Sequence, residues 1–423
     1  MTSANPENPT QTRQGRLLGL KALQGVCVLG HLANDWASAA IWLLAPAIGL
    51  ALELKPSEIG LLLTIHSIGA SLAYFPAGIL ADRVRSQGAL LLGTFWWVTL
   101  GYLVASGAPG FWSLAVLLAI GGMGDAAWHP IATGMLVRQM PQQRGQALGV
   151  HAIGGTLAEV FSPLMVGFLL AVLDWQQVLQ LSVLPAALMG TVFFFLVRRI
   201  PSRHISAALT RRDLLTFIRQ WRRRKGLLLV GGIATYNMAL IALMTMMPFY
   251  SQRTFGFSPA ETGVAFALAM LAGSIGQPLV GRLSDRRGRF GIFASCSVLA
   301  AILSASVMFL DTPLITVGIL ACAMAVLVAI RSSVLAMAVD YSSKHEGTSM
   351  GFVFVVLDGV GALGAVSAGL IGDFSLVASF GFAGILSISA VCFIPVYCIY
   401  IQYTGIPRCR AMPSCTAYQI SPF

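Results

Sequence analysis

The stretch Arg198–Lys225 reads RRIPSRHISAALTRRDLLTFIRQWRRRK and holds ten of the chain's 27 lysines and arginines. It lies near the midpoint of 423 residues, and the chain on both sides of it is apolar. The two flanking blocks share their punctuation. Gly78-Ile-Leu-Ala-Asp82-Arg83 closes the second apolar run of the first block, and Gly281-Arg-Leu-Ser-Asp285-Arg286 closes the second run of the next block, 203 residues on. Arg144-Gly145-Gln-Ala-Leu-Gly149 and Glu346-Gly347-Thr-Ser-Met-Gly351 open the fifth run of each, 202 residues apart. Pro46 and Pro248, Pro76 and Pro278, and Asn34 and Asn237 match at the same spacing. The basic stretch is therefore the seam of an internal duplication.

Hydrophobic residues make up 57% of the chain and charged residues 10%, against about 25% charged in soluble domains. Apolar runs long enough to cross a hydrocarbon core of about 30 Å recur throughout. These features exclude a soluble globular class and predict an all-α polytopic membrane protein, because helices satisfy their own backbone in lipid. Twelve spans are expected, at 22–50, 58–81, 88–107, 111–137, 145–173, 176–197, 226–250, 259–283, 290–310, 313–339, 347–372 and 376–403. With residue 1 in the cytoplasm, the inside segments carry 24 Lys and Arg and the outside segments only Lys55 and Arg253. That bias fixes the expected orientation, with both termini cytoplasmic.

The expected organisation is a tail over 1–21, a six-helix bundle over 22–198, a basic linker over 199–225, a second six-helix bundle over 226–403 and a tail over 404–423. Parallel six-span repeats relate by an axis along the membrane normal and place a substrate site near the midplane between them. The net charge of +11 sits in short loops between spans, so the bilayer and a small solute are the expected partners and nucleic acid is not. The seven cysteines lack paired spacing, so neither a zinc site nor a disulfide framework is expected. The first apolar run is too long, and too interrupted by His31, Asn34 and Asp35, for a cleavable signal peptide. Within the linker, Leu214, Leu215, Phe217, Ile218 and Trp221 alternate with arginines. They form either a short amphipathic helix on the anionic leaflet or a solvated basic segment.

Residues 22–403 resemble the major facilitator superfamily. Gly281-Arg-Leu-Ser-Asp285-Arg286-Arg287-Gly288-Arg289 matches its loop signature G-x-x-x-D-R-x-G-R in full, whereas the first copy has Arg85 in place of the second glycine. The resemblance implies a conformational latch at Asp82 and Arg83, with Asp285 and Arg286 as the second copy. Span five resembles the family's antiporter signature through Gly149, Ala158, Ser162, Pro163 and Gly167; close helix packing explains small residues there equally well. His31-Leu-Ala-Asn34-Asp35 and Gly124-Asp125-Ala-Ala-Trp128-His129-Pro130 look like the fosmidomycin-resistance branch, which implies proton-driven export of small drugs. The Arg that many proton antiporters carry in span four is absent here; the region around Leu118 is apolar.

An ionisable side chain at bilayer depth costs at least about 2.5–3.5 kcal/mol, so it faces a cavity or a partner. His31, Asn34 and Asp35 share one helical face, and so do Asp125 and His129. An imidazole beside a carboxylate can carry a proton near neutral pH; a hydrogen-bonded pair joining two helices is the plainer alternative. Glu159 is a second proton candidate, or the partner of Arg331, the one Lys or Arg far from the ends of a span. Arg331 suits an anionic group or a structural ion pair, and with His31 and His129 it is a candidate for substrate contact, while Asp35, Asp125 and Glu159 are the proton-site candidates. Asp358, His66, His151, Tyr236 and Asn237 are weaker candidates. Trp96, Trp97 and Trp112 read as interface anchors.

No phosphate loop, Walker lysine or nucleophile arrangement is present. The chain is expected to be a secondary transporter, not an enzyme, without cofactor, monomeric, and set in a bacterial inner membrane. Proton-coupled efflux of a small organic compound is the leading expectation. Proton-coupled uptake of an organic anion and a sensor or scaffold role are the alternatives.

Overall fold

The computed structural model describes residues 17–202, 211–342 and 351–403. Thirteen helices are found among them. Six form the first bundle: α1 (Leu20–Ala51), α2 (Pro56–Arg83), α3 (Gln87–Ala105), α4 (Phe111–Gln139), α5 (Arg144–Leu169) and α6 (Trp175–Arg199). A linker helix follows, α7 (Arg211–Trp221). The second bundle comprises α8 (Arg224–Phe255), α9 (Pro259–Arg287), α10 (Arg289–Phe309), α11 (Pro313–Ser342), α12 (Gly351–Gly372) and α13 (Leu376–Tyr403). Among the described residues eleven of these helices are long and apolar enough to cross a membrane. The twelfth, α1, has the length, but His31, Asn34 and Asp35 dilute its apolar run. The twelve-span reading and its limits hold to within a few residues.

Short loops set the helix ends. Pro56 starts α2, where its missing N–H costs nothing, and Glu58 accepts from the Lys55 N–H at 2.8 Å. Ser258 and Glu261 cap α9 reciprocally. Gly256 closes α8 at φ 68°, a left-handed conformation that glycine adopts without strain. Pro46, Pro76, Pro248 and Pro278 lie inside helices at matching places in the two bundles and each removes one backbone hydrogen bond.

The bundles pack alike. In the first, α1 packs on α5 and α6, α2 on α4, and α3 on α4 and α6. In the second, α8 packs on α12 and α13, α9 on α11, and α10 on α11 and α13. Each encloses its own apolar core. The largest cross-bundle contacts are also a symmetric set, α2 with α12 and α5 with α9.

Those contacts concentrate at the end opposite the basic loops. A Cβ on Gly60 would stand 2.3 Å from the Ala365 carbonyl oxygen, one on Gly369 2.4 Å from that of Pro56, and one on Gly167 2.6 Å from that of Pro259. Thr64 donates to the Ala362 carbonyl at 2.8 Å and accepts from the Val366 N–H at 3.2 Å. Ser57 N–H donates to Asp373 at 3.0 Å. Toward the basic end, a Cβ on Gly78, Gly149 or Gly281 would meet nothing from the other bundle. Among the described residues the bundles are thus sealed at one end and apart at the other. Outside the seal, Glu53, Lys55, Arg253 and Asp373 line a vestibule of about 620 Å³.

The linker helix departs from the expected placement. Phe217 and Trp221 are buried against Tyr341 and Phe352 at the basic end of α11 and α12. Gln220 and Tyr341 exchange two hydrogen bonds of 2.8 Å. Leu215 and Ile218 stay exposed, so the apolar residues divide between two faces. The side chain of Leu214, residues 203–210, the Glu346–Gly347 motif and most of both tails lie outside the described residues.

Candidate functional site

Sparse polar residues from α1, α4 and α5 meet halfway along the first bundle. Gly154 and Gly155 make this possible: a Cβ on Gly154 would come within 2.2 Å of the Val28 carbonyl oxygen, and one on Gly155 within 2.8 Å of the His31 ring. Glycines at these two positions let α5 lie directly on the polar face of α1. His31 Nδ1 then lies 2.8 Å from the His151 carbonyl oxygen, and the two imidazoles stack at 4.3 Å. On its other side, His31 Nε2 lies 3.1 Å from Asp35 Oδ2.

This geometry has a chemical consequence. A carbonyl oxygen only accepts, so Nδ1 carries the hydrogen. Nε2 then faces a carboxylate oxygen, and the contact is attractive only with a proton between them. His129 Nε2 approaches the other Asp35 oxygen at 3.9 Å. The three donor groups lie within 4.8 Å of one another, near enough to share one small cation.

Asn34 donates to Asp125 Oδ1 at 3.0 Å and to its backbone carbonyl at 3.2 Å, tying α1 to α4. Asp125 also reaches Ser38 and Asp35. Trp128, beside His129, is fully buried against Phe95 and Phe193. In the aromatic-His-Pro motif the Trp therefore packs while the His faces the polar cluster.

Two contacts carry the polar region across to the second bundle. Arg331 on α11 meets Glu159 on α5 at 3.3 Å through one nitrogen, with the side chains 29% and 35% exposed. That exposure, on residues midway along their helices, opens onto the space between the bundles. Tyr74 on α2 donates its hydroxyl to Asp358 on α12. Asp358 lies in a π-helical turn, Val355–Val360, a distortion common at functional sites. Gly361 N–H bonds the Val356 carbonyl, and Asn237 donates to the Leu357 carbonyl at 2.6 Å. Asn237 therefore props the distorted turn and does not line the cavity.

His31, Asn34, Asp35, Asp125 and His129 form one cluster, and Glu159 with Arg331 forms a cross-bundle pair. His66 lies apart and pairs with the Tyr102 hydroxyl at 2.8 Å. Tyr236 is buried and donates to the Leu327 carbonyl at 2.6 Å. Trp96, Trp97 and Trp112 are exposed on the perimeter. At the basic end Asp285 pairs with Arg289 at 3.6 Å, which pairs with Asp340 at 3.1 Å, and Arg286 is exposed. In the first bundle Asp82 and Arg83 end α2, and Arg138 donates to Gln87 at 3.2 Å. Gln87 and Arg138 precede Arg289 and Asp340 by 202 residues, so one polar contact recurs in both halves. Tyr74 and Phe354 went unnoticed in the sequence; an aromatic among many in an apolar run carries no signal of its own.

The family model for the Major Facilitator Superfamily matches residues 27–365. The chain belongs to the Major Facilitator Superfamily. It is an integral membrane protein of two six-helix bundles, and the family supports secondary transport of a small molecule. An MFS-type efflux pump of Mycolicibacterium smegmatis (strain ATCC 700084 / mc(2)155) is 30% identical over 249 residues, 57% of each chain. The chain thus spans little more than half the length of that relative. The uncharacterized MFS-type transporter YfnC of Bacillus subtilis (strain 168) is 25% identical over 82% of this chain and 85% of its own. Among solved folds, a bacterial homologue of the human lysosomal transporter Spinster, inward-facing and unoccupied, superposes with a TM-score of 0.72 at 15% identity, over 90% of this chain and 96% of its own. The nucleoside transporter NupG reaches 0.71 at 12% identity, over 90% and 99%.

Proposed function

We propose that this superfamily member exports a small organic compound in exchange for protons, by rocking its two bundles about a central cavity. The observation that carries the reading is the His31–Asp35 contact of 3.1 Å with Nδ1 committed to the His151 carbonyl. Such a pair holds a proton when closed and releases it when parted. Asp125 and Glu159 are further proton-carrying groups, and His129 borders both the cluster and the cavity. The relative in Mycolicibacterium smegmatis is described as an efflux pump, in keeping with export.

With the basic loops in the cytoplasm, the seal at Gly60, Thr64 and Gly167 closes the outer side and the cavity opens inward. This is the state in which an exporter collects its cargo. Alternation moves the closure to the basic end, where Asp82, Arg83, Asp285 and Arg286 act as the latch. The membrane is the bacterial inner membrane, with both termini inside.

Uptake of an organic anion is the second reading. Arg331 favours it, because its guanidinium spends only one nitrogen on Glu159 and keeps an edge for a bidentate oxyanion. Proteoliposomes under an inward-acid gradient test both. Substrate-dependent proton flux out of step with export, or no flux with any solute together with a stable protein partner, contradicts the proposal.

A further inference from the structure

The four carboxyls around the cavity differ in what balances them. Asp35 faces His31, and Glu159 faces Arg331. Asp125 and Asp358 are met by neutral donors, Asn34 and the Tyr74 hydroxyl. Asp125 lies inside the first bundle beside Asp35. Asp358 stands apart, on the side of α12 that faces the first bundle. Arg331, on α11, meets Glu159 at 3.3 Å and also acts on Asp358; with Glu159 and Asp358 ionised, one negative charge remains among these three side chains.

The surroundings of Asp358 are aromatic. Tyr74 stacks on Phe354 with centroids 5.6 Å apart and planes 24° apart. His129 lies over Phe354 at 6.5 Å and 25°, and beside Tyr74 at 6.0 Å. Phe354 immediately precedes the π-helical turn, and Asp358 sits in its middle. Two of the rings come from the first bundle, while the acid and Phe354 come from the second.

We propose that Asp358, with Phe354, Tyr74 and His129, binds the positively charged head of the transported compound, so that the substrate class is a small organic cation, a protonated or quaternary amine. Among Arg331, Glu159 and Asp358 the carboxylates outnumber the guanidinium by one charge, which in a low-dielectric site favours a further cation, and ring faces add attraction to an ammonium. A ligand held there touches both bundles at once, so its binding energy differs between rocked states, as a carrier requires.

This inference rests on the inter-bundle cavity being the cargo site, but not on proton coupling, because the test has no gradient. The full-length protein in detergent is titrated with tetraphenylphosphonium and with ethidium, and with fluorescein as the anionic probe. Both cations are expected to bind. Asp358→Asn should weaken binding about ten-fold or more, and Phe354→Leu about five-fold, the scale of one cation–π contact. Asp311→Asn, in an exposed loop, should stay near the unsubstituted affinity. Absence of cation binding, equal affinity in Asp358→Asn and the unsubstituted protein, or preferred binding of fluorescein that is lost in Arg331→Gln would each overturn it. If Asp358→Asn does not give folded protein, Phe354→Leu decides on its own.

Discussion

Leucine in place of Gly60 is expected to prise open the seal between α2 and α12. A Cβ there would lie 2.3 Å from the Ala365 carbonyl oxygen, 2.8 Å from its carbon and 2.9 Å from Val366 Cα, all backbone atoms that no side-chain rotation can move. Ordinary contact begins at 3.4 Å, so the helices must part by about 1 Å, before counting the rest of the leucine. The Thr64 hydrogen bonds, 2.8 Å to Ala362 and 3.2 Å from Val366, are then stretched beyond useful length. Each contributes about 0.5–1.5 kcal/mol net. Together they amount to about 1–3 kcal/mol, a shift of roughly 5- to 150-fold toward the unsealed form. Spin labels at Glu53 and Phe374, exposed on the two bundles at that end, report the distance by pulsed electron resonance. A longer-distance population should appear with Gly60→Leu and not with Gly93→Leu, where a Cβ meets nothing within 4 Å. Identical distributions in Gly60→Leu and the unsubstituted protein would refute the reasoning.

Trp221→Ala should undock the linker helix, because its indole is 4% exposed and packs on Tyr341 and Phe352. The expected loss is about 3 kcal/mol of local stability, read as faster proteolytic cleavage after the linker arginines with a smaller change in global melting. Arg331→Gln and Glu159→Gln should each lower the melting temperature in detergent, by an amount equivalent to about 1–2 kcal/mol, since the pair is partly open to the cavity. The double variant should recover most of that loss; simple additivity would show that the 3.3 Å contact couples nothing.

The twelve spans, their order and the duplication were legible because length, apolar content and loop charge act locally. The polar groups on α1, α4 and α5 were legible for the same reason, since a His or Asp at bilayer depth is costly and stands out. What joined them was not. The acceptor for His31 is the backbone carbonyl of His151, brought close by glycines 154 and 155, and no side-chain pattern announces a carbonyl. Asp358 looked weak because its distinguishing features, a π-helical turn and rings from another helix, exist only after the bundles meet. Asn237 matched Asn34 in the repeat, and both donate to a backbone carbonyl, but Asn34 also holds the Asp125 side chain whereas Asn237 supports the Leu357 carbonyl of the distorted turn. For the linker, its apolar residues pointed either to an amphipathic helix on the leaflet or to a solvated basic segment, whereas aromatic partners on α11 and α12 bury Phe217 and Trp221.

We propose that the His31–Asp35 pair carries the proton that drives transport. Asp35→Asn in proteoliposomes separates carriage from coupling, because an amide keeps the shape but cannot take up and release a proton. Once a substrate is in hand, substrate exchange at equal concentrations on both sides should persist, while proton flux and gradient-driven accumulation should disappear at every pH. Accumulation by Asp35→Asn at the rate of the unsubstituted protein, with proton flux intact, would exclude the pair as the proton carrier.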